Sequence, residues 1–149
     1  MTGKILVDTN VLVYAYDLSE PEKQVQALRV LDALAVSRRG TLTAQVLAEF
    51  AVAVTCKIPS PLSWERVAAS IENYMRSWEL LDVTGMIVLE AVRGVCQHNF
   101  SYWDAQIWAA ARLHQIPVIF SEDFAAGSSV EGVVFVNPFA ADFNLSDWV

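Results

Sequence analysis

The sequence predicts an α/β fold built on a mostly parallel sheet, and three observations carry that reading. Short aliphatic, β-branched runs recur along the chain as "KILV", "TLT", "ELLDV", "PVIFS" and "GVVFV". The segments between most of them are long, apolar on a helical period, and closed by Pro, Gly or polar residues. Strands alternating with helices form βαβ units, which bury a parallel sheet. No repeat or linker divides the 149 residues, so one domain spanning 1–149 is expected.

Taken in order, residues 4–7 read as a buried strand, and "NVLVYAYD" follows as a short helix or turn. A helix over "EPEKQVQALRVLDALAVSRR" starts at Pro21, has acids at 20 and 22 at the positive end of its dipole, and ends at Gly40. Its core face is expected to carry Val25, Leu28, Leu31, Leu34 and Ala35. A strand at 41–43 leads into a very apolar helix over 44–57, broken by Pro59 and Pro61. Ser63 caps "WERVAASIENYMRSW". After "ELLDV", Thr84 opens a helix to about His98, and another begins around Ser101 to Trp103. "PVIFS", the loop "EDFAAGSS" and "GVVFV" complete the pattern.

The formal charge of −7 excludes a nucleic-acid binder that works by bulk positive potential, though not one that acts locally through a metal ion. No apolar run is long enough to span a bilayer and no secretory leader pattern opens the chain, so the cytoplasm is the expected location, with no membrane partner. Cys56 and Cys96 have no metal-ligand spacing and are read as buried reduced thiols. Trp64, Trp78, Trp103 and Trp108 fall at helical spacings that suit core or interface, and His98 and His114 suit helix C-termini, where imidazole can cap carbonyls. Glu90 is placed with the acids of solvent faces or helix ends.

Four carboxylates stand where the chain otherwise reads as buried. Asp8 and Asp123 each follow a buried strand at its carboxyl end, the edge at which open α/β sheets bind ligands. Glu49 is the only charged residue between Arg39 and Lys57, and Asp104 opens a mostly apolar helix. Each has a structural alternative: a helix cap for Asp8, an exposed stripe for Glu49, a dipole contact for Asp104, a turn for Asp123. If the four converge, they form a set of hard oxygen ligands suited to Mg²⁺ or Mn²⁺ rather than zinc, and without the ion they repel and raise at least one pKa. Glu122 is expected to point elsewhere.

The motifs "ILVDTNVLVYA", "AEF", "WDAQIWAAA" and "SEDF…GVVFVNPF", spanning Ile5 to Phe139, resemble those of PIN-domain ribonucleases, and most closely the toxins of VapBC-type toxin–antitoxin pairs. The resemblance implies a three-layer α/β/α fold and a Mg²⁺- or Mn²⁺-dependent endoribonuclease. It places the acidic site on Asp8, Glu49, Asp104 and Asp123, with Thr9, Asn10 and Ser121 in support. It implies an RNA substrate, and a small DNA-binding antitoxin as partner. The apolar surplus, a mean hydropathy of +0.35, suits a homodimer or a covered groove. Arg38, Arg39, Arg66, Arg76, Arg93 and Arg112 are candidate contacts to a nucleic-acid backbone, with a solvated helix face as the alternative for each and the preferred reading for most. Three alternatives stay open: a PIN nuclease of RNA processing, a non-catalytic binding module, and a haloacid-dehalogenase-type phosphatase. The last calls for a second Asp two residues after Asp8, where this chain has Asn10.

Overall fold

A computed structural model describes residues 3–149. Its elements are β1 (Ile5–Val7), α1 (Thr9–Tyr14), α2 (Pro21–Ser37), β2 (Gly40–Thr43), α3 (Ala44–Cys56), α4 (Trp64–Ser77), β3 (Glu79–Leu81), α5 (Gly85–His98), α6 (Tyr102–Leu113), β4 (Val118–Phe120), β5 (Ser129–Val130) and β6 (Val133–Val136), followed by a 3₁₀ turn at Leu145–Asp147. The six strands form one sheet in the order β3-β2-β1-β4-β6-β5. Every pairing is parallel except β5 with β6.

The chain builds outward from β1 to β2 and β3, then returns across the sheet to β4. The strand order therefore reverses between β1 and β4, where the ends of neighbouring strands open a crevice. Val7 pairs with Phe120, so the next residues, Asp8 and Ser121, leave the sheet side by side. Alternation assigns the two faces. Phe120 meets Phe143 and Trp148 edge-on on one side, while Phe135 meets Phe100 and stacks on Phe124 on the other.

Local chemistry explains the element ends. Thr43, Ser63 and Thr84 each accept a hydrogen bond from an amide in the first turn of the helix they precede. Pro21 occupies the start of α2, where no amide donor is needed. Gly40 does not end α2. That helix closes at Arg38 in the left-handed conformation, and Gly40 begins β2. A Cβ on Gly40 would stand 2.1 Å from the Trp78 ring, so the glycine serves the close packing of that indole.

The core face of α2 also differs from expectation. Ala27, Val30, Leu31 and Leu34 are buried, whereas Val25 and Leu28 are exposed. Apolar residues fill two stripes of this helix, and periodicity cannot choose between them. Both cysteines are exposed rather than buried. Cys56 ends α3, and Cys96 lies off the stripe of Ile87, Ala91 and Gly94 that α5 buries. Trp78 and Trp108 are core residues, but Trp64 and Trp103 are about 60% exposed.

Glu90 is no solvent-face residue: its side chain is 12% exposed and pairs with Arg93 and Arg112. Glu131, at the tip between β5 and β6, pairs with Arg93, Arg112 and His98. His98 thus turns to a carboxylate rather than capping carbonyls, and the two arginines have partners on the protein itself. The hydrogen bond from Arg93, then that with His98, and the charges of both arginines bring the Glu131 pKa down to about 2.

Candidate active site

Asp8 follows the central strand β1, and its amide donates to the Phe120 carbonyl of β4. The side chain is 4% exposed. One carboxylate oxygen accepts from the Thr9 amide at 2.7 Å, the other from the Ser121 hydroxyl at 2.6 Å. Asp8 is thus both the cap of α1 and a buried acid facing the crevice, so its two readings coexist. Burial raises its pKa to about 6. The Ser121 and Thr9 bonds work against that rise, and the charges of Asp123 and Asp104 add to it.

Asn10 joins the two strand ends. Its Nδ2 donates to Ser121 Oγ and Asp123 Oδ2, both at 3.1 Å, and lies 3.4 Å from Asp8 Oδ2. Its Oδ1 accepts from the Glu122 amide. Ser121 is buried, donates to Asp8, and accepts from the Asp123 amide at 3.0 Å. Asp123 is itself exposed.

Glu49, half-buried on α3, accepts from Thr9 Oγ1 at 2.8 Å and from Gln45 Nε2 at 2.9 Å. Asp104, half-buried in the first turn of α6, has a raised pKa. Its burial is the main cause, followed by Ser101, which opposes the rise, and by the charges of Asp123 and Glu49, which add to it. The four carboxylates named from sequence therefore share one electrostatic environment, as do Thr9, Asn10 and Ser121. Glu122 points away as expected: Tyr14 donates to it at 2.6 Å and Lys23 pairs with it at 2.6 Å. Burial works to raise the Glu122 pKa, but these two partners outweigh it and hold the group below its ordinary value.

Among the described residues, no three acids, histidines or cysteines stand close enough to enclose an ion unaided. The donor set instead fits a hard cation that keeps several of its waters and takes only one or two carboxylates, as Mg²⁺ does. A buried acid with a raised pKa, flanked by two further carboxylates, is the electrostatic strain that such an ion relieves.

Beside the acids runs a groove of about 1050 Å³, lined by Thr9, Asn10, Glu49 and Asp123 at one end and by Val13, Val52, Ile58 and Val83 along its wall. Trp103 and Lys57 also face it. The sequence reading missed Gln45 and Gln106, both nearly buried at the groove. Gln45 stands one helical turn before Glu49, a spacing that could have drawn it in.

The PIN domain profile matches residues 5–126, and the chain belongs to the PIN domain family. No curated protein matches its sequence. Among solved structures, it is similar to a toxin–antitoxin complex from Klebsiella pneumoniae, at 16% identity and a TM-score of 0.67 over 91% of this chain and 98% of that one. It is also similar to VapC20 of Mycobacterium tuberculosis, a sarcin–ricin-loop-cleaving toxin, at 21% identity and a TM-score of 0.63 over 86% and 98%. DNA-bound VapBC of Salmonella typhimurium matches at 16% identity and a TM-score of 0.63 over 90% and 97%. At these identities the likeness is one of fold, and it agrees with the α/β architecture expected from sequence.

Proposed function

We propose that this chain is a Mg²⁺- or Mn²⁺-dependent endoribonuclease, the toxin of a type II toxin–antitoxin pair, acting in the cytoplasm. The observation that carries the reading is the convergence of Asp8, Glu49, Asp104 and Asp123 at the reversal of strand order, with the Asp8 pKa raised to about 6. Asp8 and Asp104 would hold the ion, with Asp123 beside them and Glu49 reaching it through water. When bound, the ion supplies Lewis-acid stabilisation of charge on the phosphate. Thr9 and Gln45 orient the Glu49 carboxylate, so that it can take a proton from the attacking water. Asn10 and Ser121 fix Asp8 against Asp123. Water attacks phosphorus as Glu49 takes its proton, the bond from phosphorus to the 3′ oxygen breaks, and that oxygen takes a proton from solvent, giving a 5′-phosphate and a 3′-hydroxyl.

The groove supports a peptide partner for this reading. A peptide of a small DNA-binding antitoxin would lie along the apolar wall and bring a basic side chain to the acids. Solved structures of similar fold include VapBC from Rickettsia felis bound to a fragment of its promoter DNA. The exposed apolar residues Met86, Leu89 and Val92 on α5 support a homodimer. A phosphatase with an aspartyl nucleophile is disfavoured because Asn10 stands where a second acid is needed, and its amide is committed to Ser121 and Asp123. The test is cleavage of RNA with added Mn²⁺ by the wild type and by Asp8→Asn. Wild-type rates in the variant would overturn the assignment.

A further inference from the structure

The two buried glutamines beside the groove form a directed chain that ends on the acidic cluster. Gln45 is 8% exposed and Gln106 is 5% exposed. Gln45 Nε2 donates to Glu49 Oε1 at 2.9 Å and to the main-chain carbonyl of Trp103 at 3.1 Å. Gln45 Oε1 accepts from Gln106 Nε2 at 2.8 Å, and Gln106 Oε1 accepts from the Tyr102 hydroxyl at 2.8 Å.

One group sets the direction of the whole chain. The Trp103 carbonyl can only accept, so the Gln45 atom facing it must be the NH₂. The Gln45 oxygen is then left for Gln106, whose NH₂ must face it, and the Gln106 oxygen is left for the Tyr102 hydroxyl. Neither amide can flip without placing two acceptors or two donors face to face in a nearly dry setting. Every donor from Tyr102 to Gln45 therefore points toward Glu49.

We infer that Gln45, backed by Gln106 and Tyr102, is the positioning residue that sets Glu49 of α3 relative to Asp104 of α6. Its single NH₂ holds the Glu49 carboxylate and the residue preceding Asp104 at once. With Thr9 on the other oxygen, Glu49 is gripped from both sides and its remaining lone pairs are left for the cluster. The chain supplies donors without adding a cation, so it orients the acid without neutralising it as a Lys or Arg would. This inference rests on the metal-site reading above and specifies what tunes that site.

The experiment uses Gln45→Met and Gln106→Met, which keep similar volume and lose the hydrogen bonds. Mn²⁺ affinity is measured by calorimetry on the intact protein, and carboxyl and amide NMR resonances are recorded with EDTA. Loss of a group that orients a metal ligand weakens metal binding by about 10–100-fold. Gln45→Met is expected at the lower end, about tenfold, with a smaller loss for Gln106→Met because it acts through Gln45. In a Glu49→Met background, which leaves no acceptor for the Gln45 amide at that position, Gln45→Met should cost far less, because the carboxylate it positions is gone. Wild-type Mn²⁺ affinity in Gln45→Met, or an undiminished loss in the Glu49→Met background, would overturn the inference, since a merely structural residue gives the second result. The EDTA spectra judge the positioning without metal: Gln45→Met and Gln106→Met should both move the Glu49 carboxyl resonance, and an unmoved one refutes it. Failure of the wild type to bind Mn²⁺ would instead overturn the metal site itself.

Discussion

Removing the Asp8 charge should stabilise the metal-free protein. Its carboxylate is 4% exposed, and its pKa rises from 3.8 to about 6. A raised acid pKa means that the folded state binds more protons than the unfolded chain between those values. Stability therefore falls as pH climbs through that window, and the penalty is fully present above about 6. Two units correspond to about 3 kcal/mol. Asp8→Asn removes that penalty but turns an NH₂ toward Ser121 and Asn10, where the carboxylate accepted, at a cost of about 1 kcal/mol. The net gain at neutral pH is about 2 kcal/mol, or roughly 4–8 °C in Tm for a chain of this size. The assay is thermal unfolding in EDTA at several pH values, with a parallel series in Mn²⁺. The variant should lead the wild type at neutral pH, and its lead should vanish as pH approaches the ordinary carboxylate range. In Mn²⁺ the wild type should gain more than the variant, because only its site binds the ion tightly. A variant that melts below the wild type in EDTA at neutral pH, or a difference that ignores pH, would refute the electrostatic reasoning.

Other outcomes follow from the same structure. Mn²⁺ affinity of the wild type should be level above about pH 6 and drop as Asp8 takes its proton below that value; calorimetry showing no such bend would exclude Asp8 as a ligand. Thr41 is fully buried and its hydroxyl has no partner among the described residues, so Thr41→Val should raise Tm by about 2–4 °C, equivalent to about 1 kcal/mol. Gly40→Ala drives a methyl into the Trp78 ring and should destabilise by about 3 kcal/mol with altered tryptophan fluorescence; an unchanged denaturation midpoint would show that the indole moves freely.

The four acids were legible because a carboxylate interrupts an apolar pattern visibly. Asp8 and Asp123 also follow strands whose parallel alternation was itself readable. Their convergence depends on the return from β3 to β4, which no local signal states. The glutamines escaped notice for the opposite reason: a neutral amide breaks a hydrophobic stretch far less than a charge does, and the partners of Gln106 lie on two helices. The core stripe of α2 was misplaced because Val25 and Leu28 are as apolar as Ala27 and Val30, so only packing against the sheet could decide. The ion pairs of Glu90 and Glu131 link α5, α6 and the β5–β6 turn, and no spacing along the chain announces them.

The hydrogen bond from the Asp8 amide to Phe120, between the two innermost strands, divides the site by its resistance to opening. Edge strands and loop tips exchange their amide protons through small local excursions, whereas the middle of a sheet exchanges only when most of the fold gives way. Asp8 is fixed to that last layer to open, while Asp123 stands exposed just beyond the sheet and Asp104 on the opening turn of a helix. One wall of the acidic cluster is thus expected to be as durable as the protein itself, so the Asp8 amide should be among the last in the site to exchange.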